Sequence, residues 1–298
     1  MESTKSNLDA SNLEVGASVQ NPKSIQQVKN IIGEKNKYFE SKNSVLYLSD
    51  AVELLKRIPA ETVDLIVTDP AYSSMNRHLQ LGKGRIVGEY KNRGENGKWF
   101  AEFEDSEENY SRFLVEAYRV MKPKSHIYIM FDPFSLLNLG GLFKRYFHVK
   151  NVLVWDKSIM GMGHYFRRQV EFILFCSKGN LKLTSRSLRD IWEIPRVIPL
   201  IFPSQKPVQL FENMITASID RNNADFLVLD PFVGSGSSAI ATLKHGGKFI
   251  GVDISSKALG LSKERIHAYE KSQMDPFEII KRKKTRKNSK QTSLSENR

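Results

Sequence analysis

The stretch that decides the fold is "DFLVLDPFVGSGSSAIATLKHGGKFIGVDI", Asp225–Ile254. It reads as a strand, a glycine loop, a helix, a Gly246–Gly247 break and a second strand. Gly234 and Gly236 fall directly after the first strand and before the helix, the context in which such a loop carries meaning. Without a Cβ, glycine lets a backbone pass close to a ligand. Asp253 ends the second strand, where an acid can accept hydrogen bonds from ribose hydroxyls. Ala239 stands where the dinucleotide fingerprint has its third glycine. The loop therefore indicates a nucleoside-containing cofactor and leaves NAD, FAD and S-adenosylmethionine open.

Working outward, a second strand end draws notice. "VDLIVTDPAYSSM" (Val63–Met75) has four apolar residues at the length of a buried strand, then Asp69, Pro70 and Tyr72. Dinucleotide folds place the glycine unit first in the chain; here it comes last. If both loops sit at the carboxyl ends of neighbouring parallel strands, they face one crevice, and the order is permuted. Elsewhere "SVLYLSD", "HIYIMFD", "VLVWD" and "EFILFCS" read as strands, the last two as a pair. "AVELLKRI", "NYSRFLVEAYRVMKP", "PFSLLNLGGLFKRYF", the segment after Pro207 and "SKALGLSKERIHAYE" read as helices. The alternation predicts an α/β, Rossmann-like, mostly parallel sheet with helices on both faces and one antiparallel strand pair.

Three regions are expected. Residues 1–42 are a flexible polar arm with at most one short helix around Ile25–Ile32, 43–270 the catalytic domain, and 271–298 a basic, disordered tail. No run is long enough to span a membrane and the N-terminus is too polar for a secretory signal, so a cytoplasmic protein is expected. The single cysteine, Cys176, excludes an internal disulfide and provides no metal cluster, so no metal is expected. The 45 Lys+Arg against 33 Asp+Glu give a net charge of +12, a field that a polyanion would feel.

Asp69, Pro70 and Tyr72 suit methyl transfer to an exocyclic amine. That nitrogen is a poor nucleophile because its lone pair is delocalised into the ring. Acceptors on its N–H groups favour a pyramidal nitrogen; Asp69 supplies a carboxylate and Pro70 a carbonyl held by its fixed φ. Tyr72 offers a face on which an extruded base can stack.

These segments resemble the β class of DNA amino-methyltransferases, which carry an Asp-Pro-Pro-Tyr loop early and the glycine loop late. "DPAY", "YRVMKP", "VLVWDK…RRQVEFILF", "FPSQKP" and "DPFVGSG" fall in the family's order from about Val45 to Ala268. The resemblance implies S-adenosylmethionine as cofactor and double-stranded DNA as substrate, with adenine N6 as acceptor. Cytosine N4, or an inactive DNA-binding protein keeping the fold, are the alternatives. It implies that Asp69, Pro70 and Tyr72 hold the base. Phe232, Gly234 and Gly236 would line the cofactor, Asp253 would take its ribose and Asp50 would meet its adenine. Ser204, Gln205 and Lys206 would lie near the methionine part, Lys206 pairing with its carboxylate. Asp50 reads equally as a helix N-cap before "AVELL". Ala71 in place of the second proline, and Phe202 in place of the usual histidine, depart from the pattern. A homodimer is also implied.

DNA contacts are expected from two basic loops. Ser73–Lys98 contributes Arg77, Lys83, Arg85 and Arg93 and is read as a lid or clamp; Lys157–Gln169 contributes Arg167 and Arg168. A cytosine-C5 enzyme is excluded, because Cys176 lies in an apolar strand with no proline beside it. An NAD-dependent oxidoreductase would leave Asp69–Tyr72 and Phe202–Pro207 without a task.

Overall fold

The computed structural model describes residues 24–70, 103–161, 166–198, 202, 205–223 and 225–277. Among these, nine strands form one sheet in the order β1-β2-β9-β8-β3-β4-β6-β5-β7. The strands are β1 Lys37–Glu40, β2 Ser44–Leu48, β3 Val63–Thr68, β4 Met121–Phe131, β5 His148–Asp156, β6 Val170–Lys178, β7 Ile191–Glu193, β8 Leu227–Asp230 and β9 Lys248–Asp253. From β2 through β9, β8 and β3 to β4 every pairing is parallel. β6 runs antiparallel between β4 and β5, which gives the expected antiparallel pair.

The parallel strands are buried on both faces because helices cover both. Successive residues of β3 alternate between two cores: Ile66 joins one, Leu65 and Val67 the other. Helices α1 (Ile25–Ile32), α2 (Ala51–Leu55), α3 (Glu107–Val120) and α4 (Pro133–Leu139) cover the first face. Helices α5 (Val208–Ser218), α6 (Ser237–Lys244) and α7 (Ser256–Ser272) cover the second. β8 lies beside β3, with Leu65 opposite Val228 and Ile66 opposite Leu229. The last unit of the chain is thus inserted next to one of the first, and the permuted order holds.

Three boundaries differ from expectation. The short helix expected at Ile25–Ile32 is present as α1, but it and the unexpected strand β1 pack on the domain instead of belonging to a free arm. Val28 and Ile32 enter the core, and β1 pairs antiparallel with β2. At the other end α7 runs to Ser272, and Asp275 is buried against it. Helix α3 stops at Val120 rather than at Pro123, and Met121 begins β4.

Candidate active site

The carboxyl ends of β3 and β8 are both Asp-Pro, Asp69–Pro70 and Asp230–Pro231, and hydrogen bonds tie the two ends together. The Thr68 hydroxyl donates to Asp230 Oδ1 at 2.7 Å and the Phe232 amide donates to the same oxygen at 3.0 Å. The Ser238 hydroxyl, in the first turn of α6, donates to Oδ2 at 2.5 Å. Asp230 is buried, and burial pushes its carboxyl up to about 7, against the pull of these donors; the charge of Asp69 adds to the rise. Asp230 thus joins the strand that delivers Asp69 to the glycine loop.

That loop turns as its glycines demand. Gly234 has φ +51° and Gly236 φ +80°, conformations L side chains rarely adopt. A Cβ on Gly236 would also sit 2.9 Å from Ser262 Oγ and 3.1 Å from its Cα, so α7 could not keep its place. Helix α7 pins the loop from behind. The Ser262 hydroxyl donates to the Gly234 carbonyl at 2.7 Å and Arg265 Nη1 to the Ser235 carbonyl at 2.7 Å. Asp253 faces the loop from the end of β9. Its Oδ2 accepts from the Gly234 amide at 2.9 Å and its Oδ1 from the Ser255 amide at 2.8 Å, while burial raises its pKa. Each carboxylate oxygen retains capacity for a further donor. Asp50 sits at the end of the neighbouring strand, since β2 pairs Leu48 with Asp253. Its side chain accepts from the Glu53 amide at 3.0 Å and so caps α2. The Phe232 ring packs edge-on against Phe103, with centroids 5.0 Å apart.

A chain of alternating charges crosses the rim. Lys206, just ahead of α5, forms an ion pair with Asp69 and lies 3.6 Å from Glu171 Oε2. Glu171 Oε1 accepts from Lys157 at 3.1 Å. Burial draws the Lys206 ammonium down, but Asp69 and Glu171 outweigh it, and its pKa ends above the ordinary lysine value. Burial likewise pushes Glu171 up, and Lys206 and Lys157 bring it below the usual carboxylate range. Lys206 is held in place by its backbone, because the Ser237 hydroxyl donates to its carbonyl at 2.8 Å. Lys206 is on Asp69, whereas the resemblance assigns it to a cofactor carboxylate. Gln205 is buried beside it.

The antiparallel register places the β5–β6 connection at the same rim. Phe131, at the end of β4, pairs with Phe172, and Asp156 pairs with Val170. Arg167 and Arg168 therefore lie on the site's side of the sheet. Arg167 Nε donates to the Gly161 carbonyl at 2.9 Å, and the Arg168 guanidinium lies 5.3 Å from the centre of the Phe134 ring. Tyr72, Arg77, Lys83, Arg85, Arg93 and Ser204 lie outside the described residues. Among the described residues no His/Cys/Asp/Glu group is placed to hold a metal, and no helix is long and apolar enough to cross a membrane.

Sequence reasoning passed over Asp230, Glu171, Lys157, Ser262 and Arg265. For Asp230 a signal was present: "TDP" and "LDP" repeat one acid–proline ending on two strands. For Glu171 and Lys157 there was none, because their partnership needs the register of β5, β6 and β4.

The chain is similar to several known proteins. Residues 63–264 match the family model N6_N4_Mtase, described as DNA methylase. The Type II methyltransferase M2.LlaDCHI of Lactococcus lactis subsp. cremoris is 28% identical over 254 residues, 77% of this chain and 91% of that protein. The DNA adenine methyltransferase YhdJ of Escherichia coli (strain K12) is 27% identical over 299 residues, 87% of this chain and 94% of that protein. Among solved structures, the PvuII DNA methyltransferase, cytosine-N4-specific, shares the fold with a TM-score of 0.58 at 16% identity. That match covers 76% of this chain and 88% of that one. With more than half of its length matched by the family model, and with two Asp-Pro strand ends meeting at one crevice, the chain belongs to the DNA methylase family.

Proposed function

We propose that the protein transfers a methyl group from S-adenosylmethionine to the exocyclic N6 of adenine in double-stranded DNA. The observation that supports this reading most is the adjacency of β3 and β8. It sets Asp69 and the glycine loop on one crevice, bridged by Thr68–Asp230 and by Lys206. The residues present suit the cofactor. Two glycines at positive φ form a cradle, Asp253 stands beside it with acceptor capacity, and Asp50 ends the adjoining strand. When bound, S-adenosylmethionine supplies an electrophilic methyl group on a sulfonium.

The chain's own residues do the rest by positioning. The amine of an extruded base donates its N–H groups to the Asp69 carboxylate and the Pro70 carbonyl, which turns its lone pair outward, toward the glycine loop. A carboxylate accepts about four hydrogen bonds, so Asp69 can serve the amine while Lys206 stays close. Glu171 then holds the lysine on its other side. Tyr72 stacks on the base. Arg167 and Arg168, with Arg77, Lys83, Arg85 and Arg93, anchor the phosphates. The proposal includes a cytoplasmic location on DNA and a homodimer, which sedimentation would test.

The experiment is Asp69→Asn, assayed with labelled cofactor and DNA, followed by modified-base sequencing of DNA from cells expressing the unaltered protein. We expect the variant to bind cofactor normally and to lose about 10²–10³-fold in turnover, the size of losing one charge-directed contact at the reacting atom. Unchanged turnover would sink the assignment of Asp69. N4-methylcytosine in place of N6-methyladenine would overturn the choice of base.

A further inference from the structure

The β5–β6 connection carries a side chain that none of these roles uses. Phe166 is 99% exposed. Full exposure forgoes the burial that stabilises a phenylalanine within a fold. Ile159 and Met160, across the same connection, are exposed as well. Single surface apolar residues are ordinary, but this one is set apart by its place. The connection is closed at its base by backbone bonds, Lys157 N to Gln169 O at 3.1 Å and Gly161 N to Arg168 O at 2.8 Å. Arg167 and Arg168 follow Phe166 directly in the chain, so an exposed apolar residue and two basic ones come from one short segment. Its position relative to Asp69 is bounded by the chain. Phe166 is five residues from Glu171, which shares Lys206 with Asp69, so it lies within roughly 17 Å of Glu171 even if fully extended.

An exposed apolar ring next in sequence to two arginines, at the rim of a site that takes a base out of a duplex, suits a stacked run of bases on a polyanionic backbone. Extruding a base leaves a gap and costs stacking and pairing. Apolar wedges such as Phe, Ile and Met insert between base steps in DNA, and the gap left by extrusion is such a place. Resting on the reading above, we propose that Phe166 enters the DNA stack at the position the target adenine vacates, with Arg167 and Arg168 gripping the phosphates on either side.

The test compares Phe166→Ala and Phe166→Trp with the unaltered full-length protein. The probe is a duplex carrying the site found by modified-base sequencing. One form is fully paired, one has an abasic position opposite the target, and one has 2-aminopurine at the target. We expect Phe166→Ala to lose about tenfold or more in turnover on the paired duplex, the scale of part of the extrusion cost. It should lose the 2-aminopurine fluorescence rise and recover to near the unaltered rate on the abasic duplex. Phe166→Trp should behave as the unaltered protein. Equal rates on the paired duplex would overturn the proposal. So would an equal loss on both duplexes, which would mark a general DNA contact. A loss accompanied by a change of sedimentation would assign the ring to a second copy of the chain and overturn it too. Absence of methyl transfer by the unaltered protein on every duplex would instead bring down the underlying reading, and this one with it.

Discussion

Two ion pairs stand at the same end of the sheet and differ in burial and in the geometry of the cation. Arg265 and Asp275 are 1% and 2% exposed, and they meet through two bonds, Nε to Oδ1 at 3.1 Å and Nη2 to Oδ2 at 2.6 Å. Arg265 Nη1 also donates to the Ser235 carbonyl and the Ser237 hydroxyl, and the ring of Phe277 lies 4.3 Å from the guanidinium carbon. Lys206 and Asp69 are 11% and 17% exposed and meet through one ammonium that Glu171 also attracts. A planar guanidinium fork fixes geometry, whereas an ammonium on a flexible stem is a point charge that can change partners. The first pair therefore belongs to the scaffold that shapes the glycine loop. On the proposed function the second serves the chemistry, in which Asp69 accepts a new donor.

The largest effect should come from breaking the scaffold pair. Arg265→Met leaves the Asp275 carboxylate buried without its partner and removes the support under Ser235. We expect a loss of about 3–5 kcal/mol, read from denaturant unfolding. A loss below about 1 kcal/mol would show that the two pairs are not different in kind.

Next in size is a pH effect at the strand junction. The Asp230 carboxyl is pushed up to about 7 in the fold, against an ordinary value of 3.8, so the folded protein binds its proton more tightly than the unfolded chain does. Its favourable contribution is complete below about pH 4 and is lost as the pH rises through about 7. Asp230→Asn should flatten that part of the stability–pH curve. A variant curve parallel to that of the unaltered protein would remove Asp230 from the account.

How much of this was legible in the sequence follows from how local each feature is. The glycine loop, the strand before it and Asp253 lie within thirty residues, and periodicity with turn chemistry suffices for them. The neighbouring position of β3 and β8 was legible only as a consequence of the reversed order of the two motifs. β1 and β7, four and three residues long, carry too little pattern to register, so the arm was drawn too long. The ends of the scaffold pair are ten residues apart, yet "ERIHAYEKSQMD" gives no hint that Arg265 turns inward. Lys206, Glu171 and Asp69 come from three separate segments, and only the sheet brings them together. The family pattern identifies Lys206 without giving its pairing with Asp69 and Glu171.

A smaller effect separates the two readings of Asp50. As the N-cap of α2 it satisfies the Glu53 amide, and Asp50→Ala should cost about 1 kcal/mol. If it also meets the cofactor's adenine, cofactor affinity should fall as well, while Asp50→Ser should restore stability and leave affinity low. Full affinity in both variants would leave capping as its whole role.

The smallest stability effect should come from the functional pair. Asp69→Asn keeps the shape of the side chain, and Lys206 still has Glu171 at 3.6 Å, itself held by Lys157. The lysine is therefore not abandoned as Asp275 would be. We expect a change of about 1 kcal/mol or less, within the range of a single hydrogen bond, in the same variant whose turnover falls most. On the proposed function Asp69 shares its oxygens between Lys206 and an arriving amine, so the fold should not depend on the lysine contact alone. If Asp69→Asn instead unfolds the protein as readily as Arg265→Met, the lysine is locked to Asp69. An amine could then reach the carboxylate only by disrupting the core of the site.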